Sequence, residues 1–177
     1  MSATAVVLTP APLSAAAFST FGDVIEAADT YRVINQGTSR QFTDLAPIDI
    51  ATDGGRPCIS IYRATPFQLP LAIMMLERHP LASQFFMPLH GEPFLIVVAP
   101  AGDQVDPATA RAFVSSGSQG INYRRGTWHH PLIALLDPSE FLVVDRAGPG
   151  ANYDELHFEG GAMLLQPPSS LAAASPT

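Results

Sequence analysis

The sequence predicts an all-β barrel or sandwich with a few short helices, on three observations. Seventeen Pro and thirteen Gly punctuate the 177 residues, cutting the chain into pieces too short for most helices. The pieces between them run four to eight residues and are rich in Val, Ile, Leu and Phe, the composition of strands between turns. Apolar residues make up 47% and charged residues 14%, enough to build one core and too little charge for a disordered chain.

In chain order, residues 13–18 read as a short helix, with Ala and Leu as helix formers and Ser14 as cap, ending at Gly22. Strands are predicted at 59–63, 72–79, 84–89 and 94–99, then at 122–125, 132–136, 141–145 and 162–166. The 94–99 run, Phe-Leu-Ile-Val-Val-Ala, is apolar throughout, as a strand covered on both faces should be. A second helix is expected at 106–113, with Asp106 as N-cap and Pro107 at the first helical position. No polar linker divides the chain, so residues 1–166 read as one domain. Residues 167–177, small, polar and Pro-punctuated, read as a mobile tail without chemistry.

All nine basic residues are Arg, against sixteen acidic ones, for a net charge of −7. Nucleic acid and anionic membrane surfaces are poor partners for such a chain, which lacks a dense basic face. A small molecule is the ligand this balance favours. Cys58 is alone, so no intramolecular disulfide forms, and its strand setting suits a buried small hydrophobe better than a reactive thiol. Residues 1–20 carry no basic group ahead of their apolar stretch, and a cytoplasmic location is the expectation.

Three of the five histidines fall in two blocks. In the first, Leu76-Glu77-Arg78-His79-Pro80, strand alternation puts Glu77 and His79 on one face and Arg78 on the other. Gln84 joins them if the chain turns at Pro80 and returns antiparallel. A carboxylate and an imidazole so placed suit a divalent cation, although ordinary strand-edge charges share this spacing. In the second block, Gly126-Thr-Trp128-His129-His130-Pro131, Gly126 permits a tight turn into the next strand. Adjacent strand residues face opposite ways, so only one of His129 and His130 can join His79, and His129 is the choice.

Together, Glu77-x-His79, Gln84 and Gly126-x-x-His129 resemble the two signature motifs of the cupin superfamily, a double-stranded β-helix or jelly-roll barrel. The chain departs from that pattern where Glu77 stands for the first His and Gln84 for the Glu. The set still suits a borderline ion such as nickel, zinc or manganese. At finer grain several blocks resemble the ureidoglycolate lyase family: Ser60-Ile-x-Arg63-Ala-x-Pro66, Leu69-Pro-Leu71, Leu76-Glu-Arg-His-Pro-Leu81 with Ser83-Gln84, Arg111-Ala-Phe113, Gln119-Gly-x-Asn-Tyr123, Trp128-His-His-Pro-Leu132 and Phe141-Leu-x-x-Asp145-Arg146.

That resemblance implies cleavage of (S)-ureidoglycolate to glyoxylate and urea in allantoin catabolism, a cupin-like barrel, a homodimer and a nickel cofactor. The substrate carbon bears a hydroxyl, a carboxylate and a urea nitrogen. Elimination therefore needs a base for the hydroxyl, an acid for the nitrogen and positive charge for the carboxylate. Glu77, His79, Gln84 and His129 form the expected ligand set. Arg63, with Arg40 as runner-up, is the expected carboxylate partner, and Trp128 a further substrate contact. Tyr123 or a metal-bound water is the proton carrier; in a metal-free alternative Glu77 and His79 are themselves base and acid. Asp145-Arg146 reads as a structural ion pair, and His90 and His157 as loop or surface residues. Two competing functions are an amidohydrolase releasing ammonia and carbon dioxide and a non-catalytic ligand-binding barrel.

Overall fold

A computed structural model describes residues 5–158 and 160–169. The predicted tail lies outside the described residues from Ser170 onward. The all-β class holds: two large sheets face each other across a core, with a small sheet and a hairpin beside them. One large sheet runs Gly22–Ile25, Gly120–Tyr123, Gln84–Pro88, Ser139–Ala147, Arg56–Ala64. The other runs Asp154–His157, Met75–Arg78, Trp128–His129, Phe94–Ala99, Arg111–Val114, Ala11–Pro12, with Ile133–Ala134 also on Phe94–Ala99. Val6–Leu8, Met163–Leu165 and Leu71–Ile73 form the small sheet.

The strand Phe94–Ala99 explains its own composition. Phe94, Ile96 and Val98 point into a core with Phe18, Phe86, Phe113, Phe141 and Val143 between the large sheets. Leu95, Val97 and Ala99 point the other way, into a second core with Ile73, Leu76, Trp128, Met163 and Leu165. All six residues are buried, because a strand sandwiched between two cores has no face to leave polar. These clusters are the main favourable term of the fold, since each fully buried Leu, Ile or Phe contributes roughly 1.5–3 kcal/mol.

Several predicted elements are corrected in extent. The first helix is a single turn, Ala15–Phe18, capped by Ser14 as expected; it closes before Gly22, which opens a strand. Gly22 has no room for a side chain, since a Cβ there would meet the Asn122 carbonyl oxygen of the neighbouring strand. The second helix is a 3-10 turn, Pro107–Thr109, with Asp106 capping it through the Ala108 N–H. Beyond it Arg111–Val114 is a strand, because pairing with Phe94–Ala99 buries Ala112 and Phe113. Local helix propensity loses there to tertiary pairing. The expected strand at 72–79 is two strands, Leu71–Ile73 and Met75–Arg78, which join different sheets across the exposed Met74. Cys58 is partly rather than fully buried, on the edge strand Arg56–Ala64.

Candidate active site

Strand pairing assembles the site. Trp128–His129 lies against Met75–Arg78 with His129 opposite Glu77, so the two histidine blocks meet through backbone register. Gly126, at φ +75°, makes the turn into this strand, and its N–H donates to the His79 carbonyl. Alternation sends Arg78 to the opposite face, where its guanidinium stacks on Trp128 at 4.7 Å and pairs with Asp154 at 2.8 Å.

One donor atom each from Glu77, His79 and His129 lies within 4.8 Å of the others. The imidazole rings are 5.4 Å apart, and Glu77 Oε1 is 3.4 Å from His129 Nε2. Each ring is fixed in one tautomer by its other nitrogen. His79 Nδ1 donates to the Asn152 carbonyl at 2.8 Å, and His129 Nδ1 to the Thr127 carbonyl at 2.9 Å. Both Nε2 atoms are thereby left as lone-pair donors, buried and without a hydrogen-bond partner; the short approach of Glu77 to His129 lacks hydrogen-bond geometry. Gln84 Oε1, on the cleft lining, is a further buried polar atom without a partner. The two imidazole nitrogens and the carboxylate fit a divalent cation, and the orphaned Gln84 amide oxygen is a further oxygen donor in the cleft.

Burial pushes the His79 ring down in pKa, the state a metal ligand needs. Burial raises Glu77, but His129 and His79 beside it outweigh that and hold the carboxyl below its ordinary range. It is anionic at neutral pH.

Glu77 and His79 line a cleft of about 820 Å³, together with Tyr62, Arg63, Gln84, Asp145, Arg146 and Tyr153, while His129 is buried beside Glu77. Arg63 reaches the rim, three-quarters exposed, and pairs with Glu140 through Nη2 at 2.6 Å and Nε at 2.8 Å. Three sequence-predicted residues stand elsewhere. Arg40 lies over the Tyr31 ring on the hairpin of Arg32–Ile34 and Ser39–Gln41, away from the cleft lining. Trp128 is buried in the second core, its indole N–H donating to the Gly102 carbonyl. Tyr123 is buried behind His129, stacked on it at 4.1 Å and 14°, where it supports the ring. His130 points to the other side, against Phe67, as alternation requires. His90 and His157 are exposed beside Glu140 and Glu155.

Sequence reasoning missed two residues. Asp145 makes no pair with Arg146, whose guanidinium donates to the Thr52 carbonyl; it lines the cleft and accepts from Gln84 and Tyr62. Tyr153 lines the cleft and donates to Glu155, which in turn contacts His157. The signal was present: Tyr153, Glu155 and His157 alternate around the partly buried Leu156, the pattern of a half-buried strand.

Fold and site together define a class: an all-β protein of two facing sheets with a cleft and a candidate metal-binding His/Glu group. A family model described as ureidoglycolate lyase matches residues 5–165, and the chain belongs to that family. It is 55% identical over 145 residues to a protein of Burkholderia mallei (strain NCTC 10229) named ureidoglycolate lyase, covering 81% of this chain and 85% of that one. A protein of the same name from Azotobacter vinelandii is 51% identical over 160 residues, 90% of this chain and 96% of its own. Among solved structures, RmlC from Streptococcus suis in complex with dTDP-D-xylose aligns at TM-score 0.43 and 16% identity, over 73% of this chain and 63% of that one. No helix among the described residues is long and apolar enough to cross a membrane.

Proposed function

We propose that this chain cleaves ureidoglycolate to glyoxylate and urea, as a carbon–nitrogen lyase acting in allantoin catabolism. The observation that carries this reading is the convergence of Glu77, His79 and His129 beside a cleft that Glu77 and His79 line, within a chain of the ureidoglycolate lyase family. Glu77, His79, His129 and Gln84 would hold a divalent ion, and we propose nickel on the family resemblance and the borderline donor set. When bound, such an ion supplies positive charge that lowers the hydroxyl pKa of an α-hydroxy acid.

The chain's own residues supply the rest. Arg63, exposed at the rim, turns from Glu140 to pair with the substrate carboxylate through two N–H donors. Tyr153 carries the proton. Its phenol keeps that proton well above the ordinary range, held first by the bond to Glu155 and then by burial and the Glu77 charge. The hydroxyl and the urea nitrogen share one carbon, so a single phenol oxygen can receive the hydroxyl proton while passing its own to the departing nitrogen. The C–N electrons leave with urea, the hydroxyl becomes the aldehyde carbonyl, and no net proton or water is consumed.

We further propose a cytoplasmic homodimer. It is supported by Ile59 and Ile61, 71% and 55% exposed on the edge strand Arg56–Ala64, an apolar strand edge that a second copy would cover. The function is tested by incubating purified protein with racemic ureidoglycolate and quantifying glyoxylate, urea and ammonia. Equal glyoxylate and urea, stopping at half consumption, is the expected result. Ammonia without urea would assign an amidohydrolase, and metal binding without product would assign a silent ligand-binding barrel.

A further inference from the structure

We infer that Asp145 is a positioning residue that decides which end of the Gln84 amide is offered to the cation. The inference rests on the metal reading above and adds a residue to it. Asp145 follows the Val144–Phe85 pair between Ser139–Ala147 and Gln84–Pro88, and so comes beside Gln84. Gln84 Nε2 donates to Asp145 Oδ1 at 2.8 Å. An ionised carboxylate only accepts, so the amide NH₂ must face it and Oε1 must face away. That oxygen is buried and takes no bond from the protein. Asp145 Oδ2 accepts from the Tyr62 hydroxyl at 3.2 Å, so the carboxylate is itself held from both ends.

The chemistry makes this contact decisive. A carboxylate ligand has two equivalent oxygens and needs no orienting partner. An amide has one end that coordinates a cation and one that repels it. With Gln at position 84, the Asp145 contact selects the coordinating end. Asp145→Asn is isosteric and keeps an acceptor for Tyr62. Unlike the carboxylate, the Asn side chain can present its NH₂ to Gln84, and so lets that amide turn its oxygen inward and its own NH₂ toward the cation.

The test uses the full chain, stripped by chelation and titrated with nickel by calorimetry. Outer partners of metal ligands typically change affinity by about 10–100-fold, and Asp145→Asn is expected to weaken nickel binding by that factor. Adding Gln84→Glu in the same variant restores a symmetric carboxylate that accepts from the Asn NH₂. Affinity should then return to within about threefold of the parent, a rescue that a merely structural role for Asp145 would not produce. Unchanged nickel affinity in Asp145→Asn, or a double variant as weak as the single one, would overturn the inference alone. A parent chain that binds no nickel would overturn the metal reading and the inference with it.

Discussion

Replacing Tyr153 and Tyr123 by Phe separates the proposed proton carrier from the ring that supports His129. Tyr153 is half-exposed at the cleft and its hydroxyl bonds the surface Glu155, so Tyr153→Phe leaves the core untouched. A positioned proton donor contributes roughly 10²–10⁴-fold, and kcat should fall by that factor while melting temperature holds. Tyr123 stacks on His129 and meets Phe18 and Phe86 at 6.2 and 6.0 Å, all through its ring. Tyr123→Phe keeps those contacts, so turnover should stay within about threefold and stability within about 1 kcal/mol, the scale of one net hydrogen bond. Tyr123→Ala opens a cavity instead, at a cost of roughly 3–5 kcal/mol by analogy with buried aromatic truncations. Stopped-time glyoxylate assays and denaturant titrations give both numbers. Full activity in Tyr153→Phe, or a hundredfold loss in Tyr123→Phe, would refute this division of roles.

Arg63→Met should lower kcat/KM by roughly 10–100-fold, the scale of a lost charge-assisted hydrogen bond, mostly through KM. Melting temperature should hold, because the Arg63–Glu140 pair is largely solvated and adds little to stability. Burial lowers the pKa of both His79 and His130, so the fold keeps these rings neutral where the unfolded chain protonates them. Stability of the metal-free protein should therefore be complete above about pH 6.5 and fall below it, by up to about 1.4 kcal/mol per pH unit per ring. His130→Gln removes one ring's share, visible in denaturant midpoints at pH 5.5 and 7.5. Ile59→Lys with Ile61→Lys should convert the dimer to monomer in sedimentation without loss of secondary structure; a monomeric parent would contradict the proposed assembly.

What could be read from the sequence follows from range. The strand at 94–99 announced itself through composition, because burial on both faces leaves no polar position. Alternation alone put Glu77 and His79 on one face and separated His129 from His130. The register that sets His129 opposite Glu77 is a long-range pairing that no local pattern specifies, and the family motifs supplied it indirectly. Arg111–Val114 was misread because its helical signal, Asp106-Pro107, does operate, but only for one turn. Trp128 and Tyr123 belong to the right blocks yet face the core, since a strand's side chains split between faces and the split depends on which sheet covers it. Asp145 was read with its sequence neighbour Arg146; on a strand those side chains diverge, and its partners came from other strands.

The central claim is that Glu77, His79 and His129 hold a cation on which turnover depends. It is tested most directly by stripping the protein with chelator and titrating nickel back while glyoxylate release is followed. The account predicts no turnover in the stripped protein, recovery complete at one ion per chain, and no recovery in His79→Ala or His129→Ala. Full turnover by the metal-free protein would contradict it.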